Sequence, residues 1–323
     1  MTPFLGLLRS NQPVAWLAVP VAVAIWAVVE AVSGGSFVGI GIRTVGALAA
    51  AGLAHRLYGA YAFVPRADPM ASVFVALLVC AAPDGESPVE AVRSLAALIA
   101  LLGCGDQVLR MHRQPSTSGI GFRAGVLAGC AAVLEPATVG GIAALYAAQT
   151  LARPFSIREW LMAGIGAVWP MALATGATAV RAALAGATGP DLATAVRSQW
   201  MPVGPDLWER AGALSADVGL ASAGAGLAVL ALGGWVRVLS ARRAGGLRAE
   251  STRLHLFVFS LVAAVGVAVW PWGAGTMHLW NIAAVWCAFG LAGGAPEVRH
   301  VGRAERVLWW LGGALLAMAV FAH

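Results

Sequence analysis

Residues 122–181 read FRAGVLAGCAAVLEPATVGGIAALYAAQTLARPFSIREWLMAGIGAVWPMALATGATAVR. Two short apolar segments meet at Glu135-Pro136, and a turn at Arg153-Pro154 separates them from a third apolar segment that begins at Trp160. Runs rich in Ala, Leu, Val and Gly are typical of membrane helices, because backbone groups in hydrocarbon must be hydrogen-bonded within their own segment. The stretch therefore predicts an all-α membrane protein with short, broken helices around Glu135-Pro136.

Glycines recur at helical spacing within the same stretch. Gly125 and Gly129 lie four residues apart, and Gly140, Gly141, Gly164 and Gly166 follow. Small residues at such spacing let two helix backbones approach closely inside a membrane. Close packing is a sufficient explanation for these glycines, and they need no further function.

The composition of the whole chain predicts the same class of protein. Hydrophobic residues make up 59% of the 323 residues and charged residues only 11%, and the mean hydropathy is +0.79. So little polar surface cannot cover a water-soluble globule of this length. We expect a single integral membrane domain over residues 1–323, built as a polytopic bundle of transmembrane helices.

Apolar segments recur along the chain, and about eleven are recognisable when ~20 residues are expected for each span. They lie at approximately 14–33, 38–57, 69–83, 89–108, 121–135, 137–151, 158–184, 214–236, 254–271, 275–293 and 306–322. The fifth and sixth are short for a ~30 Å hydrocarbon core at ~1.5 Å per residue. They predict either a hairpin or one long interrupted helix, and the choice decides the orientation of every later segment.

Arginine supplies all the basic side chains other than histidine, because the chain contains no lysine. If the N-terminus is cytoplasmic and every segment crosses, only Arg93, Arg181, Arg197 and Arg210 fall on the outer side, and Arg43 lies inside a span. Such a bias is typical of inner-membrane proteins. It favours the hairpin, since the basic loops on either side of residues 121–151 then share the cytoplasmic side. The prediction is a multi-pass protein of the bacterial inner membrane with an external C-terminus.

This topology assigns the two longest polar stretches and limits the partners. Residues 185–213 become an external loop and residues 237–253 a basic cytoplasmic loop. Retention on the cytoplasmic side explains the arginines, so we expect membrane lipids as partners and no nucleic acid. The four cysteines all lie in apolar segments, which predicts buried thiols, with no metal site and no cofactor.

Two acidic side chains are candidate catalytic residues. Glu30 lies in an apolar frame, AIWAVVEAVSGG, and Glu135 lies at the helix break. Ionisable groups at membrane depth are costly, and each is therefore a candidate functional group. The alternative is that both carboxylates reach interfacial water or pair with Arg43 or Arg181.

Arginines form the second group of candidates. Arg153 and Arg158 flank a turn that either returns the chain to the membrane, with Ser156 capping the next helix, or clamps the phosphate of a lipid or lipid-linked substrate. Arg197 and Arg210 lie in the external loop and are candidates for the same headgroup binding.

Three motifs in the opening stretch occur together. They are a Phe-Arg-x-Gly opening, an Arg-Pro-Phe-x-x-Arg-Glu-Trp turn and a closing glycine and proline, matched here by Phe122, Arg123, Gly125, Arg153, Pro154, Phe155, Arg158, Glu159, Trp160, Gly166 and Pro170. In these the chain resembles an uncharacterised family of polytopic inner-membrane proteins from Bacteroidota. That family commonly has an aromatic or apolar residue in place of Glu135, which argues against a family-wide catalytic role there, and it has no function to transfer.

Three functional classes fit these features, and no motif establishes an enzymatic activity. The first is an envelope-biogenesis protein whose architecture resembles multi-pass glycosyltransferases that use polyprenyl-phosphate sugars; Glu30 would be its general base and would open into an outward cleft. The second is a non-catalytic subunit or scaffold of an envelope complex with membrane-protein partners. The third is a transporter, which would show inverted repeats and facing broken helices. We favour the first, acting on a lipid-linked substrate.

Overall fold

The computed structural model describes residues 16–32, 34–60, 70–80, 87–111, 118–152 and 156–200. The described residues form eight α-helices and one short 3-10 helix, and they contain no strand. The helices are α1 (Ala18–Val32), α2 (Phe37–Ala60), α3 (Met70–Cys80), α4 (Pro88–Met111), α5 (Ser118–Leu134), α6 (Gly140–Ala152), α7 (Ile157–Leu184) and α8 (Gly189–Trp200), with the 3-10 helix at Pro136–Val139. The predicted all-α class is confirmed for this part of the chain. The predicted segments from residue 214 onward and the loop 237–253 lie outside it.

Three of the helices are long and apolar enough to cross a membrane. They are Phe37–Leu57 within α2, Pro88–Met111 and Ile157–Leu184. Helices α1, α3 and α5 are apolar but shorter. Because α7 would be about 42 Å long at ~1.5 Å per residue, it would have to tilt or extend beyond a ~30 Å core. This set of helices is compatible with a membrane protein.

Serine side chains cap the N-termini of two of the helices. The Ser36 hydroxyl oxygen accepts a hydrogen bond of 3.1 Å from the N–H of Gly39 at the start of α2. At the start of α4, the Ser87 hydroxyl accepts one of 3.3 Å from the N–H of Glu90. Such caps satisfy N–H groups that have no partner inside the helix. Ser156 occupies the capping position of α7, but its predicted side-chain hydrogen bond is not formed.

A glycine turn ends α1. Gly34 has a φ of 95°, a conformation that side chains with a Cβ rarely adopt. The N–H of Gly34 donates to the carbonyl of Ala31 at 3.4 Å, and the N–H of Gly35 donates to the carbonyl of Glu30 at 2.9 Å. These two hydrogen bonds form a Schellman motif. The chain therefore turns after Val32, covers the last turn of α1 that contains Glu30, and enters α2.

Helix α2 packs against α1, α3 and α4, and the residues that meet at the two ends show that the first four helices alternate in direction. At one end of the bundle, the rings of Trp16 and His55 have centroids 4.2 Å apart. At the same end Arg56, which follows His55, contacts Asp106 near the end of α4. We call this the Asp106 end. The opposite end, where α1 finishes, is called the Glu30 end.

Helices α5 and α6 form a hairpin. Glu135 has an extended backbone, with φ −140° and ψ 101°, and it interrupts the helix. A Cβ on Gly121, near the start of α5, would lie 3.5 Å from Nε2 of Gln149, near the end of α6. One continuous helix would hold these two positions about 42 Å apart. The predicted hairpin is therefore present, and the interrupted-helix alternative is wrong.

The most extensive helix contact joins α5 and α7, which run parallel. A Cβ on Gly125 would overlap the carbonyl oxygen of Ala163, and a Cβ on Gly129 would overlap that of Ala167. Both alanines are buried. The backbones of α5 and α7 therefore touch where the side chains are smallest, which confirms the predicted packing role of these glycines.

Candidate functional site

Glu30 lies in the last turn of α1 and is buried, with 5% of its surface exposed. Arg43 in α2 is equally buried. The charges of both side chains act on the thiol of Cys80 at the end of α3, which places Glu30 and Arg43 in one region at the Glu30 end. Of the two arginines predicted as partners for Glu30, Arg43 lies in this region. Arg181 is exposed on α7.

The turn after α1 covers the Glu30 side chain. A Cβ on Gly35 would lie 2.7 Å from Cγ and 2.9 Å from Oε1 of Glu30. Only a glycine fits at position 35 without a shift of the turn or of the carboxylate. Glu30 is therefore enclosed, and its role as a general base stays a prediction that requires this turn to open.

Glu135 is also buried, with 8% of its surface exposed, and the hydrogen bonds around it stabilise the helix break. The side chain of Thr138 donates to the Glu135 carbonyl at 2.8 Å. The Nε of Arg93, from α4, donates to the Leu134 carbonyl at 3.1 Å. Such donors satisfy carbonyls that the end of α5 would otherwise leave without partners. Arg93 thus ties the hairpin tip to α4, and a catalytic role for Glu135 stays a prediction.

The two candidate carboxylates lie at the same end of the bundle but in different helix groups. Arg93 is near the start of α4, so the tip of the α5–α6 hairpin belongs to the Glu30 end. Glu30 lies among α1, α2 and α3, whereas Glu135 lies among α4, α5 and α6.

Asp106 is a third buried carboxylate, and it is not among the candidate residues predicted from the sequence. Its side chain is 7% exposed, with Oδ1 3.5 Å from Nε of Arg56 and Oδ2 2.9 Å from Nη2 of Arg110. The two arginine side chains are 55% and 36% exposed. The four-residue spacing of Asp106 and Arg110 in an apolar helix was the available signal. Arg56 comes from a different helix, and no spacing rule identifies it.

A groove of about 600 Å³ runs along one face of α7. Its lining residues are mostly apolar or aromatic: Tyr146, Ile157, Trp160, Leu161, Gly164, Ile165, Val168, Trp169 and Ala172. The Tyr146 hydroxyl donates to the Trp160 carbonyl at 3.3 Å, which joins α6 to α7 beside the groove. Arg158 is exposed in the first turn of α7. With 3.6 residues per turn, Arg158 projects between Ile165 and Trp169 and so shares the face of the groove.

Helix α8 occupies part of the predicted external loop. Asp191 accepts hydrogen bonds from the Thr188 hydroxyl at 2.8 Å and from the Thr188 N–H at 3.3 Å, which caps the helix. The Trp200 Nε1 donates to the Thr175 hydroxyl at 2.9 Å, so α8 packs back against α7. Arg197 is exposed on α8. The other two predicted phosphate ligands, Arg153 and Arg210, lie outside the described residues.

Neither a metal site nor a known relative defines the activity. Within the described ranges, no group of three or more His, Cys, Asp or Glu side chains could hold a metal ion. Comparison of the chain with known proteins found no matching family model, no matching curated protein and no matching solved structure. The resemblance to the Bacteroidota family stays a prediction.

Proposed function

We propose that the chain is a polytopic protein of the bacterial inner membrane that binds a polyprenyl-phosphate-linked substrate in envelope biogenesis. The observation that carries the proposal is the groove on α7 with Arg158 on the same helix face. An apolar groove with a cation at one end matches the two chemical parts of such a lipid, which are a hydrocarbon chain and a phosphate.

The depth of the groove depends on a glycine. A Cβ on Gly164 would lie 2.6 Å from the Tyr146 hydroxyl oxygen. A larger residue at position 164 would therefore displace Tyr146 or fill the groove. Leu161 and Ile165 on either side are more than half exposed. A concave apolar surface of this kind suits a flexible hydrocarbon chain better than a rigid polar ligand.

The length of the groove favours a polyprenyl chain over an ordinary acyl chain. From Ile157 to Ala172 the α7 axis extends about 22 Å at ~1.5 Å per residue. One leaflet contributes only about 15 Å of a ~30 Å hydrocarbon core. A chain that fills the whole groove from the Arg158 end would pass the midplane, and a polyprenyl chain is long enough to do so.

Arg158 is the proposed phosphate ligand. Its guanidinium group presents several N–H donors in a planar fork that suits phosphate oxygens. It follows Ile157 at the start of α7, where a lipid headgroup would lie when the chain occupies the groove. The Glu159 side chain leaves α7 about 100° around the helix from Arg158, and the Glu159 carbonyl faces α5, 3.3 Å from the Cβ position of Gly121.

The proposed orientation has the N-terminus in the cytoplasm and the C-terminus outside. The arginine distribution along the sequence supports it. In this orientation the Asp106 end faces the cytoplasm and the Glu30 end faces outward. A cysteine introduced as Ser36→Cys, in the exposed turn before α2, should react with an impermeant maleimide added to the outer side of the membrane. Reaction only from the cytoplasmic side would reverse the orientation.

A non-catalytic subunit of an envelope complex is the second candidate function. The burial of Glu30 and Glu135 favours it, because a general base has to reach its substrate within hydrogen-bonding distance. The transferase-like activity would instead require Glu30 to become accessible through the glycine turn at Gly34 and to act on a group at the Glu30 end, because Arg158 at the start of α7 lies at the Asp106 end. Loss of product formation in Glu30→Gln, with lipid binding retained, would select the enzyme.

Lipid binding can be tested with the purified full-length protein in nanodiscs. The probe is a polyprenyl phosphate with a photoreactive group on the chain, and the comparison is the matching polyprenol without phosphate. Arg158→Gln should weaken phosphate-lipid binding about tenfold, as expected for loss of one charge-assisted hydrogen bond. It should leave polyprenol binding unchanged. Ala172→Phe, which fills the end of the groove, should weaken binding of both.

Ala183→Phe is the matched control, since Ala183 is exposed on α7 beyond the groove. It should bind both probes as the unsubstituted protein does. The proposal would be overturned if Arg158→Gln and Ala172→Phe both bound the probes as tightly as the unsubstituted protein does. The proposal would also be overturned if a photoreactive residue introduced at position 165 formed crosslinks to the protein's own chain beyond residue 200 and none to lipid.

A further inference from the structure

The Asp106 cluster joins two helices at the surface of the bundle. Asp106 and Arg110 lie four residues apart on α4, and Arg56 comes from α2. The carboxylate is buried while both guanidinium groups remain partly exposed. Arg56 and Arg110 can reach water, so their own solvation does not require the contact with Asp106.

The cluster carries more positive than negative charge. Two arginines against one aspartate leave a net charge of +1 when all three are ionised. Arg56 contacts the carboxylate through Nε and Arg110 through Nη2. A guanidinium group has five N–H donors, so each arginine retains donors that one carboxylate contact does not use.

Asp106 also fixes the positions of the two arginines. A free arginine loses considerable side-chain entropy when it binds a ligand, and a side chain that is already held loses less. The 2.9 Å contact holds the Arg110 guanidinium group at the Asp106 end, and the longer 3.5 Å ion pair keeps Arg56 beside it. Two prepositioned guanidinium groups with a net positive charge are the arrangement that phosphate recognition uses.

We propose that Arg56 and Arg110, positioned by Asp106, form a binding site for a phosphate group. This site is separate from the groove on α7 and does not depend on the function proposed for Arg158. The phosphate could be carried by a lipid headgroup or by a soluble molecule. Both sources offer oxygens to the same N–H donors, and the experiment distinguishes them.

The soluble source is tested first. The full-length protein in an uncharged detergent is titrated with inorganic pyrophosphate, and the midpoint of thermal unfolding is followed. The unsubstituted protein should be stabilised, and Arg56→Gln and Arg110→Gln should each require about tenfold more pyrophosphate for the same shift. Sodium chloride at equal ionic strength should give no such shift.

The lipid source is tested in nanodiscs of phosphatidylcholine with and without phosphatidic acid. Native mass spectrometry counts the phosphatidic acid molecules retained by the protein. A lipid-phosphate site predicts one retained molecule fewer in the Arg56→Gln, Arg110→Gln double variant, with little response to pyrophosphate. A soluble-phosphate site predicts the reverse pattern.

Three further variants are compared with the double variant. Arg123→Gln removes an exposed arginine from α5 and should change neither readout. Arg158→Gln should lower polyprenyl-phosphate binding only, so failure of the two sites can be distinguished. Asp106→Asn keeps both arginines and removes the charge that competes with phosphate. If Asp106 positions the arginines, the loss of their fixed positions should outweigh the gain in net charge, and phosphate binding should weaken, but less than in the double variant. A double variant that is folded and responds like the unsubstituted protein in both experiments overturns the proposal, as does an equal response to sodium chloride.

Discussion

Gly166 of α7 lies directly against the backbone of Phe122 in α5, so that a Cβ on Gly166 would overlap the Phe122 carbonyl oxygen. Gly125 meets the carbonyl of Ala163 in the same way at the same crossing of the two helices. Phe122, Gly125 and Gly166 all belong to the three motifs that occur together in residues 122–170. Their contacts explain the spacing of these motifs by packing alone, because two helix backbones can touch only where side chains are absent.

Gly166→Ala should destabilise the protein. The added methyl group would press on the α5 backbone, which cannot move as a side chain can, and overpacking of this kind costs about 1–3 kcal/mol. Gly176→Ala is the control on the same helix, since nothing lies within 4 Å of a Cβ there. It should be neutral or stabilising by up to about 1 kcal/mol. Thermal unfolding in detergent measures both; equal midpoints for the two variants would contradict the α5–α7 contact.

The sequence predicted those features that depend on neighbours along the chain. The hairpin at Glu135 followed from two short apolar segments and the basic loops around them. The packing glycines followed from their four-residue spacing. In both cases the signal and the structure lie within one short stretch, where helical periodicity relates position in sequence to position in space.

Features that join distant segments were not predictable. Asp106 became prominent only when α2 placed Arg56 beside it, about fifty residues away in sequence. The groove on α7 depends on Tyr146 from α6 and on the missing side chain of Gly164. Glu30 was recognised as costly in an apolar helix, but only the structure shows that the turn at Gly35 covers it.

Gly34→Ala should destabilise the turn that covers Glu30. Gly34 adopts a φ of 95°, and an alanine in this left-handed region costs about 1–2 kcal/mol. Gly41→Ala is the control, because Gly41 has open space around its Cβ position. Hydrogen exchange at the start of α2 should become faster in Gly34→Ala and stay unchanged or slow slightly in Gly41→Ala. Unchanged exchange in both would show that the Schellman motif does not hold this turn.

Asp106→Asn should lower stability by about 1–3 kcal/mol, because the buried side chain loses two charge-assisted contacts. The loss should stay below that of a fully buried ion pair, since Arg56 and Arg110 can reach water. Arg123→Gln is the control, and it should change stability by no more than about 0.5 kcal/mol. Chemical denaturation in detergent compares the three proteins. An Asp106→Asn variant as stable as the control would mean that the cluster does not join α2 to α4.

The hydrogen bond from Trp200 to Thr175 should hold α8 against α7. Trp200→Phe removes the donor and keeps most of the ring, whereas Thr175→Val removes the acceptor and keeps the shape. Each should weaken α8 docking by about 0.5–1.5 kcal/mol, the net value of one hydrogen bond. The double variant should be little worse than either single variant, because both remove the same interaction. Hydrogen exchange across 189–200 gives the docking free energy. Fully additive effects would show that the indole and the hydroxyl act separately and that α8 is held by its apolar contacts.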